Sequence, residues 1–419
     1  MKKNILFLCY PGIGIIEQWL PIIINLKKKG SKVDILFFSS EHLSQFEKKN
    51  FVHTLAKKSF DNFYYDDRSN IFKVKSVNKI HKKKYDIFKF FFKNKNFLKL
   101  ESNFEIFISN YNTILYDTYF DLVDKYNYSN LIKKKHKFSL HHGVALFQQK
   151  KKLPPKKNFY RVNNQVYYKK TKNNFSNLTI FNYTKDEISF WKFIYEKVKI
   201  KNIRVPIFKN DKRWIQNIIN QSKKDYPLNW KNYIFLISRP INEDYFKFEQ
   251  KKKYFLDIVK VCSIHNKNLV IRFHPKENKK QWKKIYLDIL KNYQIKYCFS
   301  ESHPYKIAYD SLFTICFFSE LSISLASLNI PVIEYLNLKN IADPTNSCLR
   351  DKKNKKVFDY RYSQLVIGVD DYDSFKEKFE YVMKNRNNVA NKTNKLYLNL
   401  FKNNYKKVNK VADLIRKTG

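Results

Sequence analysis

Arg239, His274 and Ser319 each follow directly on a short apolar run: Tyr233 to Ser238, Leu269 to Phe273 and Leu312 to Phe318. In an open parallel sheet, ligands collect beyond the carboxyl ends of the strands, so these three side chains are expected along one rim. Arg272 and Lys276 flank His274 in the string Leu269-Val270-Ile271-Arg272-Phe273-His274-Pro275-Lys276-Glu277. Ser319 stands as the N-cap of a helix-spaced stretch, Glu320 to Leu328, with Ser322 one turn inside it. A helix start offers unpaired N–H groups and the positive end of the helix dipole. Guanidinium, ammonium, imidazole and hydroxyl donors converging there suit a phosphate or diphosphate. The competing readings are ordinary ones: His274 as a turn histidine satisfied by backbone, and Ser319 as a plain cap. A His-Pro pair by itself specifies little, and the chain holds a second, His303-Pro304.

The elements that position these residues alternate. Ile5 to Cys9 is an apolar run of strand length, and Tyr10 to Gly14 reads as a loop. Ile16, Leu20, Ile23 and Leu26 recur at helical spacing up to Gly30, and Val33 to Phe38 is a second apolar run. Strand, glycine loop, helix and buried strand make a βαβ unit. Pro21 would cost about 3 kcal/mol deep inside a helix, so it is expected in the first turn. Asn112 to Tyr116 and Lys137 to Leu140 are further strands, ending at Asp117 and at His141-His142-Gly143, and Asn177 to Phe181 is another. The segment Phe88 to Phe97 reads as an amphipathic helix, with a basic, aromatic membrane-facing patch as the alternative. Pro206, Lys and Asn accumulate between Val205 and Trp230, where a boundary is expected. Beyond it come a helix through Leu256, Val259 and Val261, a helix from Gln281 to Tyr293 and a strand from Pro331 to Tyr335. The last helical stretch, Lys395 to Lys417, has the length to fold back across both halves. The organisation expected is α/β, with residues 1–205 (joined by 395–419) and 206–394 as two domains.

Composition narrows the function. The 419 residues carry a net charge of +45, yet 43% are hydrophobic and 17% aromatic, which excludes simple disorder. The positive charge is mostly Lys spread along the chain beside Asn, the pattern of AT-rich codons rather than of a clustered nucleic-acid footprint, so no nucleic-acid partner is expected. An anionic membrane surface is a compatible partner. Cys9, Cys262, Cys298, Cys316 and Cys348 are widely spaced and read as buried thiols in a reducing cytoplasm. The basic start and apolar run imitate a secretion signal, but Pro11-Gly12 interrupts the run, and Glu17 and Gln18 stand where a cleavage site belongs. No apolar stretch approaches the roughly 18 residues that span a bilayer. The protein is therefore expected in the cytoplasm, with peripheral attachment to the inner face of the membrane as a compatible location.

Two sets of residues resemble a known superfamily. Gly14, Pro21, Leu26, Gly30 and Val33 look like the first helix and strand of GT-B glycosyltransferases. Arg272 to Glu277, followed by Phe318-Ser319-Glu320-Leu321-Ser322 and Ile330-Pro331-Val332-Ile333, resembles the nucleotide-binding half of bacterial surface-polysaccharide transferases. That group includes CDP-glycerol glycerophosphotransferases and CMP-dependent Kdo and sialic-acid transferases. His142-Gly143 resembles the His-Gly of the first of these, and Ile203 to Phe208 stands where such chains cross between domains. The resemblance implies two Rossmann-like domains with parallel sheets facing a central cleft, nucleotide on the second and acceptor on the first. It implies nucleotide or phosphate contacts for His274, Ser319 and Ser322 and a CMP- or CDP-linked donor as substrate; no cofactor is expected, and a metal-dependent GT-A mechanism is disfavoured. Where many relatives have a ribose-binding Glu, this chain has Ser324, with Glu320 or Glu334 as substitutes; where they have Gly before Pro-Val, it has Asn329.

An inverting displacement needs a base for the acceptor hydroxyl, help worth about 10²- to 10⁴-fold. Three groups are placed for it: His142, Asp117 and Glu17. His142 is preferred, because imidazole titrates near neutral pH and Gly143 lets backbone approach a ligand. A structural histidine and a helix-capping Asp117 are the alternatives. Gly12, Gly14 and Gly143 form the acceptor-side loops, in a chain with 6 glycines in all. The function expected is a metal-independent transfer of a sugar, or a polyol phosphate, from a nucleotide donor to a surface polysaccharide (capsule or lipopolysaccharide) or lipid-linked glycan. A nucleotide-sugar epimerase of the same fold, and a basic non-enzymatic binder of nucleic acid or membrane, are the competing functions.

Overall fold

The computed structural model describes residues 3–9, 14–37, 46, 50–65, 97–99, 104–118, 132, 134–141, 159–162, 165–168, 177–194, 199–222, 224–227, 229–241, 247–339, 348–350, 356–401 and 406–418. The chain divides into two compact units. One comprises Met1–Ala145, Tyr168–Asp211 and Asn403–Gly419, and the other Leu146–Tyr167 and Lys212–Lys402.

The first unit is built on an eight-stranded sheet. Its strands are β1 (Asn4–Cys9), β2 (Lys32–Phe37), β3 (Phe63–Tyr65), β4 (Phe97–Lys99), β5 (Thr113–Asp117), β6 (His136–Leu140), β9 (Leu178–Asn182) and β10 (Lys201–Arg204). They lie in the order β10-β9-β6-β5-β1-β2-β3-β4 with every pair parallel. Between β6 and β9 in sequence, β7 (Phe159–Val162) and β8 (Gln165–Tyr168) form a separate two-stranded sheet that falls, but for Tyr168, in the other unit. Ile5 to Cys9 are all buried, as expected of a parallel strand covered on both faces. The helices of this unit begin with α1 (Gly14–Lys28), α2 (Asn50–Ser59), α3 (Phe104–Ser109) and α4 (Lys185–Ile194).

The second unit carries a six-stranded parallel sheet of β11 (Tyr233–Ile237), β12 (Leu269–Arg272), β13 (Tyr297–Phe299), β14 (Ser311–Cys316), β15 (Val332–Tyr335) and β18 (Ile367–Val369). The order is β13-β12-β11-β14-β15-β18. A small antiparallel pair, β16 (Cys348–Arg350) and β17 (Lys356–Phe358), precedes the last strand. Its helices are α5 (Lys212–Gln221), α6 (Phe248–Ile264), α7 (Lys279–Leu290), α8 (Pro304–Tyr309), α9 (Leu321–Ser327), α10 (Asp359–Tyr362) and α11 (Tyr372–Phe401). The final helix, α12 (Lys406–Thr418), returns to the first unit and packs on α1, where Lys29 pairs with Asp413.

Several expectations need correction. Pro21 is not in the first turn: it is buried in the middle of α1. The apolar stripe of α1 packs on the sheet and outweighs the lost backbone bond, and Asn25 Nδ2 donates to the Pro21 carbonyl at 2.7 Å. Within Lys395 to Lys417 the described residues form the end of α11 and nearly all of α12. Cys298 is half-buried, while Cys9, Cys262 and Cys316 are buried. The segment Phe88 to Phe97 lies outside the described residues except for Phe97, which opens β4.

Scarcity of glycine is met by asparagine. Asn177, Asn232, Asn266 and Asn329 all have positive φ, a conformation in which a short polar side chain is tolerated. After α9, Ile330 N–H bonds to Leu325 O at 3.0 Å and Asn329 N–H to Ala326 O at 3.4 Å, with Asn329 at φ 59°. That is a Schellman ending, so Asn329 serves where the resemblance has Gly. Asn266 ends α6 in the same way, and Gly30 ends α1.

Candidate functional site

In the second sheet, β12 and β13 extend from β11 on one side, and β14, β15 and β18 on the other. The order therefore reverses between β11 and β14, and the crevice beyond their carboxyl ends is the place where such a sheet binds ligands. Arg239 leaves β11 on one side of that point and Phe318-Ser319 leave β14 on the other. Arg239 bridges them: its Nη1 donates to the Phe318 carbonyl, and its guanidinium carbon lies 5.0 Å from the Phe318 ring centroid, a cation–π contact.

Phe318 holds a φ of 75°, a left-handed conformation that costs a non-glycine residue about 1–2 kcal/mol. It persists because its ring is stacked on Phe358 at 4.5 Å and Tyr360 at 5.0 Å. Strained backbone of this kind clusters at functional sites, and here it immediately precedes Ser319.

His274 sits beyond β12, half-buried. Its Nδ1 accepts from Lys276 N–H at 3.1 Å, so a neutral ring carries its proton on Nε2 and presents a donor there. His303, in the second His-Pro pair, makes the same bond to Tyr305 N–H at 3.2 Å, but as the N-cap of α8. What distinguishes His274 is the support beneath it. His274 N–H donates to Glu277 Oε2 at 3.1 Å, and Glu277 N–H donates to His274 O at 2.9 Å. Glu277 Oε1 accepts from Ser238 Oγ at 2.7 Å and from Lys251 Nζ. Lys251 Nζ also donates to Arg239 O at 2.7 Å and lies 3.7 Å from the Trp282 ring centroid. Both side chains of the Lys251–Glu277 pair are fully buried. Burial pushes the Lys251 ammonium down to about 8, against the opposing pull of Glu277.

The other expected contacts fall unevenly. Arg272 is half-buried and its Nε donates to Ser302 O at 3.0 Å, toward the β13 side. Lys276 is exposed. Ser319 is half-buried, and its Oγ accepts from Leu321 N–H at 3.3 Å; the cap position itself is Glu320, whose side chain makes no capping bond. The expected anion site at the helix start is largely consumed: Ser322 N–H donates to Ser319 O and Ile323 N–H to Glu320 O. Ser322 does not reach the rim either. Its hydroxyl is fully buried and lies 3.4 Å from Cys316 Sγ. Glu334 is no ribose ligand: it is buried in an ion pair with Arg361, Nε to Oε1 2.6 Å. Desolvation raises its pKa against the pull of that arginine. Burial first, and the charge of Glu334 second, push the Asp359 carboxyl well above the usual carboxylate range.

In the first unit, the strand order reverses between β1 and β5, and Asp117 ends β5 there, fully buried. Glu17 is half-buried in the first turn of α1. Gly14 opens that helix, and a side chain added there would meet nothing within 4 Å. Gly12, His142 and Gly143 lie outside the described residues.

Sequence reasoning missed Lys251 and gave Glu277 no role. A signal existed for the first: Lys251 shares the i, i+3, i+4, i+7, i+8 stripe with Tyr254, Phe255, Ile258 and Val259, all buried, and a lysine on such a stripe needs a partner. The sequence also contains an Asp-Xaa-Asp string, Asp371-Tyr372-Asp373, which can suggest a metal site. Asp371 instead caps α11, its Oδ1 accepting from Ser374 N–H at 2.9 Å. Among the described residues no cluster of His, Cys, Asp and Glu is placed to hold a metal, and no helix is long and apolar enough to cross a membrane.

No protein-family model matches the chain, and no curated protein matches it in sequence. Solved structures do match it. A UDP-GlcNAc 2-epimerase from Methanocaldococcus jannaschii aligns over 100% of both chains with a TM-score of 0.55 and 14% identity. The UDP-GlcNAc 2-epimerase from Neisseria meningitidis bound to UDP-GlcNAc aligns over 100% of this chain and 99% of its own, with a TM-score of 0.52 and 15% identity. CalG4, the calicheamicin glycosyltransferase, aligns over 100% and 98%, with a TM-score of 0.51 and 10% identity. The fold is of the GT-B class. Its two Rossmann-like units are the two parallel-sheet units described above.

Proposed function

We propose that this chain is a nucleotide-sugar enzyme that transfers a sugar, or a polyol phosphate, from an activated nucleotide to a surface-polysaccharide or lipid-linked acceptor, without a metal. The observation that supports it is that Arg239 meets the strained Phe318-Ser319 turn at the switch point of the second sheet, with His274 at the end of the neighbouring strand and tied to Arg239 through Glu277 and Lys251. There Arg239 places a permanent positive charge, His274 Nε2 offers a directed donor, and Ser319 adds a hydroxyl, a set suited to a diphosphate or to a cytidylate phosphate. The donor we propose is CMP- or CDP-linked, on the resemblance of the His-Pro and serine strings to the CMP- and CDP-dependent transferases alone. His142 is the proposed base, with Asp117 and Glu17 as the alternatives. The proposed location is cytoplasmic, with the lysine-rich composition favouring attachment to anionic membrane, which sedimentation with anionic vesicles tests.

The experiment is a thermal-shift panel of CMP, CDP, UDP, GDP and their sugar conjugates, repeated with His274→Ala. A ligand that binds only the folded state stabilises it by about 2.7 kcal/mol at a hundredfold excess over Kd. Losing a hydrogen bond to a charged group costs about 1.5–3 kcal/mol, so His274→Ala is expected to remove most of that shift and to cripple turnover. An unchanged shift and rate in the variant overturns the assignment. Epimerisation is the second reading, supported by the match to the two UDP-GlcNAc 2-epimerases. Release of a free or epimerised sugar from UDP-GlcNAc with no acceptor present selects it over transfer.

A further inference from the structure

The loops that carry His274, Arg239 and Ser319 leave three different strands, yet they are joined below the surface by one chain of bonds. It starts at His274 N–H, which donates to Glu277 Oε2, and crosses the carboxylate to Oε1, where Ser238 Oγ and Lys251 Nζ both donate. From Lys251 Nζ it passes to the Arg239 carbonyl, and from the Arg239 guanidinium to the Phe318 carbonyl beside Ser319. Lys251 and Glu277 are both fully buried on their side chains, so neither touches a ligand on the rim. Trp282 covers the ammonium at 3.7 Å, and Tyr286 closes the other side with its hydroxyl 3.0 Å from Ser238 Oγ.

We propose that the buried Lys251–Glu277 pair is a positioning device that sets the spacing between His274, Arg239 and, through Arg239, the Ser319 turn. The deciding observation is that each partner spends its remaining valences on loop backbone. Glu277 uses its second oxygen on the His274 amide, and Lys251 uses a second proton on the Arg239 carbonyl. Any buried pair must satisfy its remaining valences; here the groups that do so belong to two different rim loops, so the pair ties those loops to each other. A buried pair is also a weak means of raising stability compared with apolar residues of the same volume, so its presence on an otherwise apolar helix stripe calls for another role. The assignment rests on the reading that this rim binds a nucleotide.

The test separates positioning from support. Lys251→Met and Glu277→Gln each remove one partner and are expected to lower the melting temperature. The double variant Lys251→Met/Glu277→Leu replaces the pair by apolar side chains and is expected to recover most of it. If the pair positions the loops, the double variant still binds CMP or CDP about 10- to 100-fold more weakly than the wild type in calorimetry, the loss of one charged hydrogen bond to the ligand. It also shows faster amide exchange at 238–241 and 272–278 while the sheet strands stay protected. Recovery of wild-type stability, affinity and loop protection together overturns the proposal. Should the wild type bind none of the nucleotides, the nucleotide reading of the rim fails. The exchange comparison then still decides the positioning claim, since protected loops in the double variant refute it and selectively loosened loops uphold it.

Discussion

Gly368→Ala adds one methyl group to β18, and in most strands that change would be mildly stabilising, because glycine in a strand costs about 0.5–1 kcal/mol relative to alanine. Here the opposite is expected. A Cβ at position 368 would lie 2.5 Å from Arg361 Nε and 2.8 Å from its Cγ, overlapping the middle of the side chain rather than a flexible end. Arg361 would have to leave a site where Nε donates to Glu334 Oε1 at 2.6 Å, Nη1 to Asp370 at 2.7 Å, and Nη2 to the carbonyls of Glu334, Leu336 and Val369. Glu334 is fully buried and the Arg361 side chain 8% exposed, so solvent does not replace the lost partner. Breaking a buried pair from one side costs about 3–5 kcal/mol. Allowing for partial rearrangement of the guanidinium, the variant is expected to lose about 3 kcal/mol in urea unfolding near neutral pH. The loss should shrink in mild acid, because Glu334, its pKa already raised by burial, takes up a proton and no longer leaves a buried charge. In an Arg361→Ala background the same glycine change should cost almost nothing, since the overlap is gone. An equal cost in both backgrounds, or a neutral Gly368→Ala, refutes the reasoning.

Asn329→Gly should be nearly neutral, whereas Asn329→Ala should cost about 1–2 kcal/mol in thermal unfolding, because alanine gains nothing from the φ of 59° held there. Asp359→Asn should raise stability at neutral pH: the folded-state pKa of Asp359 is raised by burial, so the folded chain binds more protons than the unfolded one and stability falls as pH climbs from the ordinary carboxylate range. The gain should fade near pH 4, which unfolding at both pH values checks. Lys251 is the reverse case. With its folded pKa at about 8, below the ordinary lysine value of about 10.4, the unfolded chain binds the extra proton in between. Wild-type stability measured against Lys251→Met/Glu277→Leu should therefore rise across that interval, and a flat difference would contradict the burial.

The strand-and-helix alternation was legible because strands covered on both faces must be apolar throughout, as Ile5 to Cys9 and Tyr233 to Ile237 are. The rim positions of Arg239, His274 and Ser319 followed from where those runs stop. Chain order alone determined that much, since the residue after a parallel strand has to emerge at its carboxyl end. Other features were decided only by packing. Pro21 sits within α1 because the sheet covers that helix, and the Ser322 hydroxyl lies against Cys316 in a helix, α9, that starts one residue later than the serine cap implied. The left-handed Phe318 is also a product of its neighbours, held by rings from Phe358 and Tyr360 some forty residues away in sequence. The Lys251–Glu277 pair shows the division most clearly. A lysine on a buried stripe was visible in the sequence. Its partner, its second bond to Arg239 and its place beneath His274 depend on contacts between β11, β12 and α6 that no local pattern encodes.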